Sequence, residues 1–295
     1  MSSLRIGDAR VDSVLETELP YRFPSEMFPG ADDALVDAHR RWMEPHYLDP
    51  ESGKMVFAFR SFLIRIDGLT ILVDTCVGNE KNRPNRANWH KQNWPWMKNL
   101  RACGVTPEEI DLVMCTHLHV DHIGWNTRLK DGRWVPTFPH AKYLFHKTEY
   151  AFWEKEYPKQ AWIEDAFVDS VLPVVDAGQA VMVESGHEIG NGIRIDPSPG
   201  HTPGHSSLCI DRAGGRAVFC GDMMHHPLQI PEPHLASIFC TDAALSTATR
   251  CDFIDRHCDT GTVILPAHFP GAGTGGGHIV GRMHGDKAGF RPVGR

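Results

Sequence analysis

One short segment constrains the fold and chemistry of this chain more than any other. The sequence THLHVDH at residues 116–122 directly follows an apolar run that is typical of a buried strand. In an extended segment, residues i and i+2 point the same way, so His117 and His119 can reach one metal ion. If the chain then turns, Asp121 and His122 can face a second ion. This density of ligand-type side chains predicts a metal site and argues against a histidine-rich surface turn.

Three further segments place a ligand-type residue just after an apolar run. They are Pro-Gly-His at 199–201, Gly-Asp at 221–222 and Pro-Ala-His at 266–268. A strand that runs into a rigid loop is where a sheet scaffold can hold ligands in a fixed geometry. Taken singly, each such residue is more often a cap or a turn residue. Taken together with residues 116–122, the set predicts one shared site.

Composition supports metal chemistry and disfavours several other classes. Histidine occurs 18 times in 295 residues, which is above ordinary usage, and histidine is the commonest metal ligand in proteins. The formal charge of −7 argues against broad electrostatic binding to nucleic acid. No apolar run is long enough to span a membrane, and no secretory signal opens the chain, so we expect a cytoplasmic protein without membrane partners. The 8 cysteines form no Cys-x-x-Cys pair and are expected to be reduced and mostly buried.

The coarse order of elements predicts one domain over residues 1–295. Strands come first and helices last in each half of the chain, which suits two packed sheets with helices outside. Residues 20–50 show little periodicity and are predicted to form an irregular arm, and the glycine-rich residues 271–295 are predicted to form a loop-like tail. Helices are predicted over Trp89 to Ala102, Trp162 to Leu172 and Thr241 to Cys258.

The four ligand-bearing segments resemble the metallo-β-lactamase superfamily, and the resemblance covers roughly residues 55–268. It implies an α/β (α+β) fold of the αββα sandwich type, with two mixed sheets, helices on the outer faces and a dinuclear metal site. It also implies the ligands: His117, His119 and His201 for one ion, Asp121, His122 and His268 for the other, and Asp222 as a bridge. The cofactors implied are two divalent ions, zinc first, although Mn, Fe or Co suit the same ligands.

The same resemblance assigns roles to two residues outside this ligand set. Asp74 matches a position near the metals, and we expect it to orient a ligand histidine. His205 is the second histidine of a Pro-Gly-His-Thr-Pro-Gly-His motif, and it is expected to be structural.

The resemblance implies a hydrolase that acts on a small-molecule substrate. Two cations lower the pKa of a bridging water, the resulting hydroxide attacks, and Asp121 transfers protons. The expected substrate is a small neutral ester, first of all a lactone, with aryl esters, organophosphates (phosphotriesters) and thioesters as alternatives. A β-lactamase is disfavoured because that class usually lacks the bridging carboxylate, which Asp222 supplies here. A non-catalytic metal-binding protein ranks last, since all seven ligand positions are intact.

Overall, the chain is most similar to the N-acyl-homoserine lactonases and the methyl parathion hydrolases. Those lactonases carry a substrate-binding tyrosine three residues after the bridging aspartate, whereas this chain has His225. We predict that His225 donates a hydrogen bond to the developing oxyanion. The likeness also implies that the arm over residues 20–50 covers the site or forms a homodimer contact.

Two features of the sequence remain open. Aromatic side chains around the predicted site either line an apolar pocket for an acyl or aryl group or pack in the core: Trp89, Trp94, Trp96, Phe152, Trp153 and Trp162. Residues 271–276 fit Gly-x-Gly-x-x-Gly. A dinucleotide site needs a helix at these glycines and an acid about 20 residues on, so a loop beside His268 is the preferred interpretation.

Overall fold

The computed structural model describes residues 3–159, 165–190, 192–271 and 273–293. Two large sheets of seven strands each form the scaffold. The first sheet contains, in spatial order, β1 (Leu4–Ile6), β2 (Ala9–Arg22), β3 (Met55–Ile66), β4 (Leu69–Val73), β5 (Leu112–Met114), β8 (Lys142–His146) and β9 (Ala180–Val183). The strands β6 (Thr127–Lys130) and β7 (Arg133–Pro136) pair separately as a small hairpin.

The second sheet contains, in spatial order, β10 (His187–Gly190), β11 (Ile193–Pro197), β12 (Ser206–Arg212), β13 (Gly215–Gly221), β14 (Val263–Pro266), β15 (Gly277–His284) and β16 (Lys287–Pro292). Both sheets are mixed. Strands β4, β5, β8 and β9 pair in parallel, as do β13 and β14, while the other pairings are antiparallel.

Because successive side chains of a strand point to opposite faces of the sheet, neighbouring residues pack in different hydrophobic clusters. In β13, Phe219 packs between the two sheets, where its ring meets that of Phe62 at 5.2 Å, whereas Val218 faces the opposite side. The helices are α1 (Pro24–Met27), α2 (Asp33–Met43), α3 (Trp96–Ala102), α4 (Lys147–Glu156), α5 (Ala166–Ser170), α6 (Leu172–Asp176) and α7 (Ala243–His257).

These helices cover the outer faces of both sheets. The first sheet packs against α2, α3, α4, α5 and α6, and the second packs against α7 through Phe253 and Ile254. This arrangement is the αββα sandwich, so the predicted fold class is confirmed.

Two predictions of irregular structure are wrong. The arm over residues 20–50 contains the helix α2, which begins at a cap where Asp32 accepts the N–H of Leu35 at 2.8 Å. Its buried side chains, Val36, His39 and Met43, follow the spacing of one helix face, a pattern that the polar and charged residues around them obscure in sequence. The glycine-rich tail contains the hairpin of β15 and β16, which extends the second sheet and pairs Ile279 with Phe290. Both residues are buried and pack in the cluster that also contains Phe253 and Ile254 of α7, which helps to dock the hairpin.

Other predicted elements shift at their ends. The helix predicted from Trp89 begins at Trp96, because Pro95 precedes it as the cap residue. The helix predicted from Trp162 to Leu172 lies partly outside the described residues, and the described part forms α5 and the start of α6. All 8 cysteines are free, and five of them are buried, as expected. Within the described ranges, no helix combines the length and apolar character needed to cross a membrane.

Candidate metal centre

The ends of four strands supply the predicted ligand residues. Residues 116–122 follow β5, residues 198–205 follow β11, Asp222 follows β13 and His268 follows β14. Because β13 and β14 run parallel, their carboxyl ends meet at the same edge of the sheet. The prediction that these segments converge on one place is confirmed by the geometry below.

The seven predicted side chains form two adjoining groups. Within each group the candidate ligand atoms lie within 4.8 Å of one another, and the groups are His117, His119, His201 and Asp222, then Asp121, His122 and His268. Asp222 reaches into both. Its Oδ1 lies 3.1 Å from His122 Nε2 and 3.0 Å from His268 Nε2, and its Oδ2 lies 3.3 Å from His201 Nε2.

Several polar atoms at this place lie close to one another without forming a hydrogen bond of good geometry. Among the described residues, His117 Nε2, His122 Nε2 and Asp222 Oδ1 are buried and form no aligned hydrogen bond. An unsatisfied buried polar group costs about 1–3 kcal/mol, so such atoms need a ligand to justify their burial. Imidazole nitrogens and carboxylate oxygens converging in this way fit divalent cations.

The charge states of the side chains also suit a cation. Burial holds the pKa of His117 well below its ordinary value, so this ring is neutral and its nitrogen can act as a ligand. Burial opposes the ionised form of Asp222, but the neighbouring histidines, His122 and His268 first, outweigh it and hold the pKa of this carboxyl well below its usual range. A carboxylate therefore lies in the middle of the centre.

Partners outside the two groups orient the rings. Asp74 Oδ2 lies 2.9 Å from His122 Nδ1, and Asp74 Oδ1 accepts the N–H of Thr116 at 2.7 Å. His268 Nδ1 donates to the carbonyl oxygen of Ala58 at 2.9 Å. In both histidines Nε2 is thereby turned towards Asp222, so Asp74 occupies the orienting position that the sequence predicted.

His205 lies outside both groups and supports the backbone of Asp222. Its Nε2 accepts the N–H of Asp222 at 3.1 Å, and its Nδ1 donates to the carbonyl oxygen of Ser198 at 3.0 Å. Burial lowers the pKa of His205 to about 3, which keeps this ring neutral. Gly221 adopts φ +47°, and a Cβ there would lie 2.8 Å from His205 Nε2, so this close approach requires glycine.

Sequence reasoning missed Glu149, a fully buried carboxyl group of α4. One oxygen accepts the N–H of Leu118 at 3.0 Å and the indole N–H of Trp153 at 2.7 Å, and the other accepts the N–H of Gly204 at 2.9 Å. Glu149 therefore ties together the two histidine-bearing loops. Burial raises its pKa. In sequence it resembles an ordinary acid in the first turn of a helix, so no local signal distinguishes it.

A cavity opens above the centre. Asp121, Asp222, His225 and His268 lie on its lining together with His119, and the rest of the wall is largely aromatic: Tyr21, Met27, Phe57, Phe59, Arg86, Trp89 and Phe239. A larger cleft lies between α7 and the second sheet, but none of the seven ligand-type side chains lines it. The smaller cavity is therefore the one that adjoins the candidate chemistry.

The aromatic pocket hypothesis is confirmed for only one of its six residues. Trp89 lines the cavity. Trp96 and Trp153 are buried in the core, while Trp94 and Phe152 are partly buried and pack against it. Trp162 lies outside the described residues. The core-packing alternative therefore holds for these four, and the remaining wall comes from segments that the sequence did not single out.

The arm over residues 20–50 borders the site, in line with the first of the two alternatives that the family likeness implied, and nothing here tests the second, a homodimer contact. Tyr21 and Met27 lie on the cavity wall. The ring of Phe28 meets that of His225 edge-on at 6.4 Å.

His225 stands beside Asp222 on the cavity wall. Its Nε2 lies 3.1 Å from Asp222 Oδ2, and neither ring nitrogen has an aligned hydrogen-bond partner among the described residues. Burial lowers the pKa of His225 to about 4, so the imidazole is neutral at pH 7 and carries one N–H. The ring lies nearly parallel to that of His268, with 5.9 Å between centroids.

A comparison with known protein families shows to which family this chain belongs. The metallo-beta-lactamase superfamily matches residues 60–250, which is more than half of the chain. The chain belongs to the metallo-beta-lactamase superfamily. The matched stretch holds every ligand-type side chain of the two groups except His268, which follows it.

Individual members of the superfamily are only distantly similar. An N-acyl homoserine lactonase of Bacillus cereus is 28% identical over 112 residues, which is 38% of this chain and 37% of that protein. The match thus spans little more than a third of this curated relative. The crystal structure of the hydrolase AbOPH in the beta lactamase superfamily has a TM-score of 0.82 at 24% identity, covering 99% of this chain and 97% of that one.

AidC is a second structural neighbour, described as a dizinc quorum-quenching lactonase in complex with an N-hexanoyl-L-homoserine product. Its TM-score is 0.77 at 18% identity, covering 100% of this chain and 97% of that one. At these identities the two structures show that the superfamily fold extends over the whole chain.

Proposed function

We propose that this protein is a metal-dependent hydrolase that opens an ester-type bond in a small substrate, first of all a lactone. The observation that carries the proposal is the pair of ligand groups sharing Asp222 at the base of an aromatic cavity. The choice of a lactone is supported by the relatives named N-acyl homoserine lactonase and by the lactonase among the structural neighbours.

The proposed ligands are those that the geometry brings together. His117, His119 and His201 would hold one ion, Asp121, His122 and His268 would hold the other, and Asp222, which reaches into both groups, would be available to either. Bound divalent ions polarise an ester carbonyl and lower the pKa of water, which supplies the nucleophile at neutral pH. Zinc is the first candidate because histidine and carboxylate ligands suit it, with Mn, Fe and Co as alternatives.

The protein's own groups have separate tasks in this proposal. Asp121 lines the cavity and keeps some exposure, so it can accept a proton from the attacking water and return one to the leaving alkoxide. His225 is neutral and donates its N–H to the oxygen on which charge develops. The aromatic wall excludes bulk water, which strengthens both interactions.

The test is elemental analysis of the purified protein combined with a substrate panel. The panel contains N-hexanoyl homoserine lactone, phenyl acetate, a phosphotriester and a thioester. We expect about two divalent ions per chain, hydrolysis of the lactone, loss of activity on chelation and recovery on adding metal. Strong phosphotriester turnover without lactone turnover would refute the lactone. A metal-loaded protein that hydrolyses nothing across the panel would refute the hydrolase.

Matched variants link the activity to the site. His122→Ala should lose both metal and activity, because His122 belongs to the second group. His140→Ala is the control, since His140 is an exposed histidine outside both groups. Equal metal content and activity in the two variants would place the chemistry elsewhere.

One observation favours aryl esters as a second candidate. The rings of Tyr21 and Trp89 stack at the cavity wall, with centroids 5.9 Å apart and planes 7° apart. An aryl leaving group can pack against such a pair. Faster turnover of phenyl acetate than of every lactone in the panel would support this alternative.

A further inference from the structure

Two buried carboxyl groups lie next to the candidate metal centre without belonging to either ligand group. Glu149 of α4 contacts the loops that carry the histidines of the first group, His117, His119 and His201. Glu16 of β2 is also buried, and the chemistry proposed above uses neither of the two. Burying a carboxylate is costly unless it is hydrogen-bonded, so the partners of these two groups show what they stabilise.

Glu16 joins two segments of the chain through its two oxygens. Its Oε2 accepts the N–H of Val77 at 2.9 Å, and its Oε1 accepts the N–H of Gly78 at 3.0 Å. The same Oε1 accepts the indole N–H of Trp125 at 2.8 Å. Val77 and Gly78 belong to the segment that follows β4, whereas Trp125 lies in the turn just after His122. Glu16 therefore holds these two segments together.

The two segments that Glu16 joins present part of the second ligand group. The N–H of Thr75 donates to the carbonyl oxygen of His122 at 2.7 Å, and Asp74 Oδ2 lies 2.9 Å from His122 Nδ1. Asp121 directly precedes His122 in the chain. Two ligand-type side chains and the carboxylate that orients one of them thus lie in the stretch that Glu16 fixes.

Glu149 makes the corresponding connection for the first ligand group. One of its oxygens accepts the N–H of Leu118, which stands between two histidines of that group, at 3.0 Å. The other oxygen accepts the N–H of Gly204, in the loop that carries His201, at 2.9 Å. The first loop follows β5 of one sheet and the second follows β11 of the other sheet. Glu149 thereby fixes two ligand-bearing loops that belong to different sheets.

We propose that Glu149 and Glu16 are positioning residues that each serve one ion, Glu149 the ion of the first ligand group and Glu16 the ion of the second. The inference rests on the metal centre of the proposed function. Both oxygens of each carboxylate accept N–H groups, and glutamine in its place would turn an NH₂ group against an N–H at one end. Groups that orient metal ligands typically change metal affinity about 10–100-fold when they are replaced.

Zinc titrations of the intact centre test the inference. In Glu149→Gln and in Glu16→Gln, we expect the affinity for one ion to fall about tenfold or more and the affinity for the other to change less than about threefold. The double variant should bind both ions more weakly, because the two substitutions act on different ions. Competition between the protein and a chromophoric chelator for Zn²⁺ measures the two affinities.

A second background shows which ion each carboxylate serves. His268→Ala interrupts the second ligand group and leaves the four side chains of the first, which suffice for a tetrahedral zinc site. In this background Glu149→Gln should weaken the binding of Zn²⁺ about tenfold or more, whereas Glu16→Gln should change it less than about threefold. The reverse pattern overturns the inference.

A control variant and a folding measurement exclude a general loosening of the structure. Glu154→Gln is the control, because Glu154 is an exposed carboxyl group of the same helix as Glu149, and it should keep both affinities. Circular dichroism reports whether each variant is folded. If a glutamine variant does not fold, the aspartate variant at that position replaces it, with a smaller loss expected for the same ion. Unchanged affinities in both glutamine variants, or an equal loss of both ions in each, overturn the inference.

Zinc affinity and hydrolysis distinguish this inference from the proposed function. If the wild type binds two ions and hydrolyses nothing across the substrate panel, the hydrolase proposal fails, and the zinc affinities of the variants still decide the positioning roles. If the wild type hydrolyses a substrate while both glutamine variants keep wild-type zinc affinities, the hydrolase stands and the positioning roles are refuted. A wild type that binds no zinc refutes both.

Discussion

Two buried clusters of charged side chains in this molecule differ in how their polar atoms are partnered. In the candidate metal centre, His117 Nε2, His122 Nε2 and Asp222 Oδ1 have no aligned hydrogen bond. In the second cluster, Arg83 donates through both terminal nitrogens to the carboxylate of Asp169, at 2.7 and 2.9 Å. The first cluster needs a ligand, whereas the main ionic contacts of the second are made within the protein.

The second cluster holds a wall of the cavity in place. Lys81 Nζ donates to Thr127 Oγ1 at 2.7 Å and lies 3.6 Å from the ring centre of Trp134, so this buried amino group also has protein partners. Lys81 and Arg83 belong to the same loop as Arg86 and Trp89. We call Lys81, Arg83 and Asp169 the loop anchor. The comparison teaches that buried charge serves ligand binding in one place and loop placement in the other.

The largest effect should come from removing the shared charge of the metal centre. Asp222→Asn keeps the side-chain volume but removes the carboxylate that lies within 3.3 Å of four histidine rings, those of His122, His201, His225 and His268. We expect kcat/KM for the best substrate to fall by about 10³-fold or more, equivalent to about 4 kcal/mol of barrier, with loss of bound metal. Elemental analysis and kinetics measure this. Full activity with full metal content would show that the centre does not depend on Asp222.

A substitution in the loop anchor should lower the stability of the folded protein and leave its metal content unchanged. Asp169→Asn leaves Lys81 and Arg83 buried without their counter-charge, which should lower the free energy of unfolding by about 3–5 kcal/mol. Asp165→Asn is the matched control, because Asp165 is exposed in the same segment, and we expect a change within about 0.5 kcal/mol. Denaturant titration with elemental analysis tests this. If Asp169→Asn lost metal while keeping its stability, the distinction between the clusters would break down.

Substitution of Asp74 should have an intermediate effect, and this effect should be limited to the affinity of the centre for metal. Asp74→Asn removes the carboxylate partner of His122 Nδ1, and we expect metal affinity to fall about 10–100-fold. Asparagine tolerates the left-handed backbone at φ +56°, so the substitution leaves the turn unstrained. Asp67→Asn, at φ +53° in the exposed β3–β4 turn, is the control. Competition against a chelator measures both variants, and equal affinities would remove Asp74 from its orienting role.

The last prediction concerns the effect of pH on the loop anchor. Burial lowers the pKa of Lys81 to about 7. The nearby carboxylate of Asp169 opposes this lowering because it favours the charged form, and the guanidinium of Arg83 adds to it because it disfavours the charged form. Between about pH 7 and pH 10.5 the unfolded chain binds a proton that folded Lys81 has released, so the free energy of unfolding should rise with pH, by up to about 1.4 kcal/mol per unit.

Lys81→Met provides the reference for this pH dependence. The variant lacks the titrating group, so the difference in the free energy of unfolding between wild type and variant should change steadily over this pH range. Denaturant titrations at several pH values measure it. A constant difference would show that Lys81 stays charged in the folded protein, held by its contacts with Thr127 and Trp134.

The candidate metal centre could be predicted because its ligand-type side chains lie in short, recognisable sequence segments. His117, His119, Asp121 and His122 lie next to one another in sequence, and His201, Asp222 and His268 each follow an apolar run. In this molecule the ends of β5, β11, β13 and β14 bring these segments together. The cavity wall carries no such local signal, because Phe57 and Phe59 are indistinguishable in sequence from core residues of β3.

The sequence by itself determined the class of fold and the ligand-type residues, because alternating apolar runs dictate strands and because histidine and aspartate have the same metal chemistry wherever they lie. Only the tertiary structure decided which aromatic groups face the ligand groups and where Arg86 lies. These depend on the packing of the arm and of the loop held by Asp169, segments that meet through contacts distant in sequence. The hairpin of β15 and β16 shows the same limit, since two buried apolar residues dock a glycine-rich stretch that local propensity predicts to be a loop.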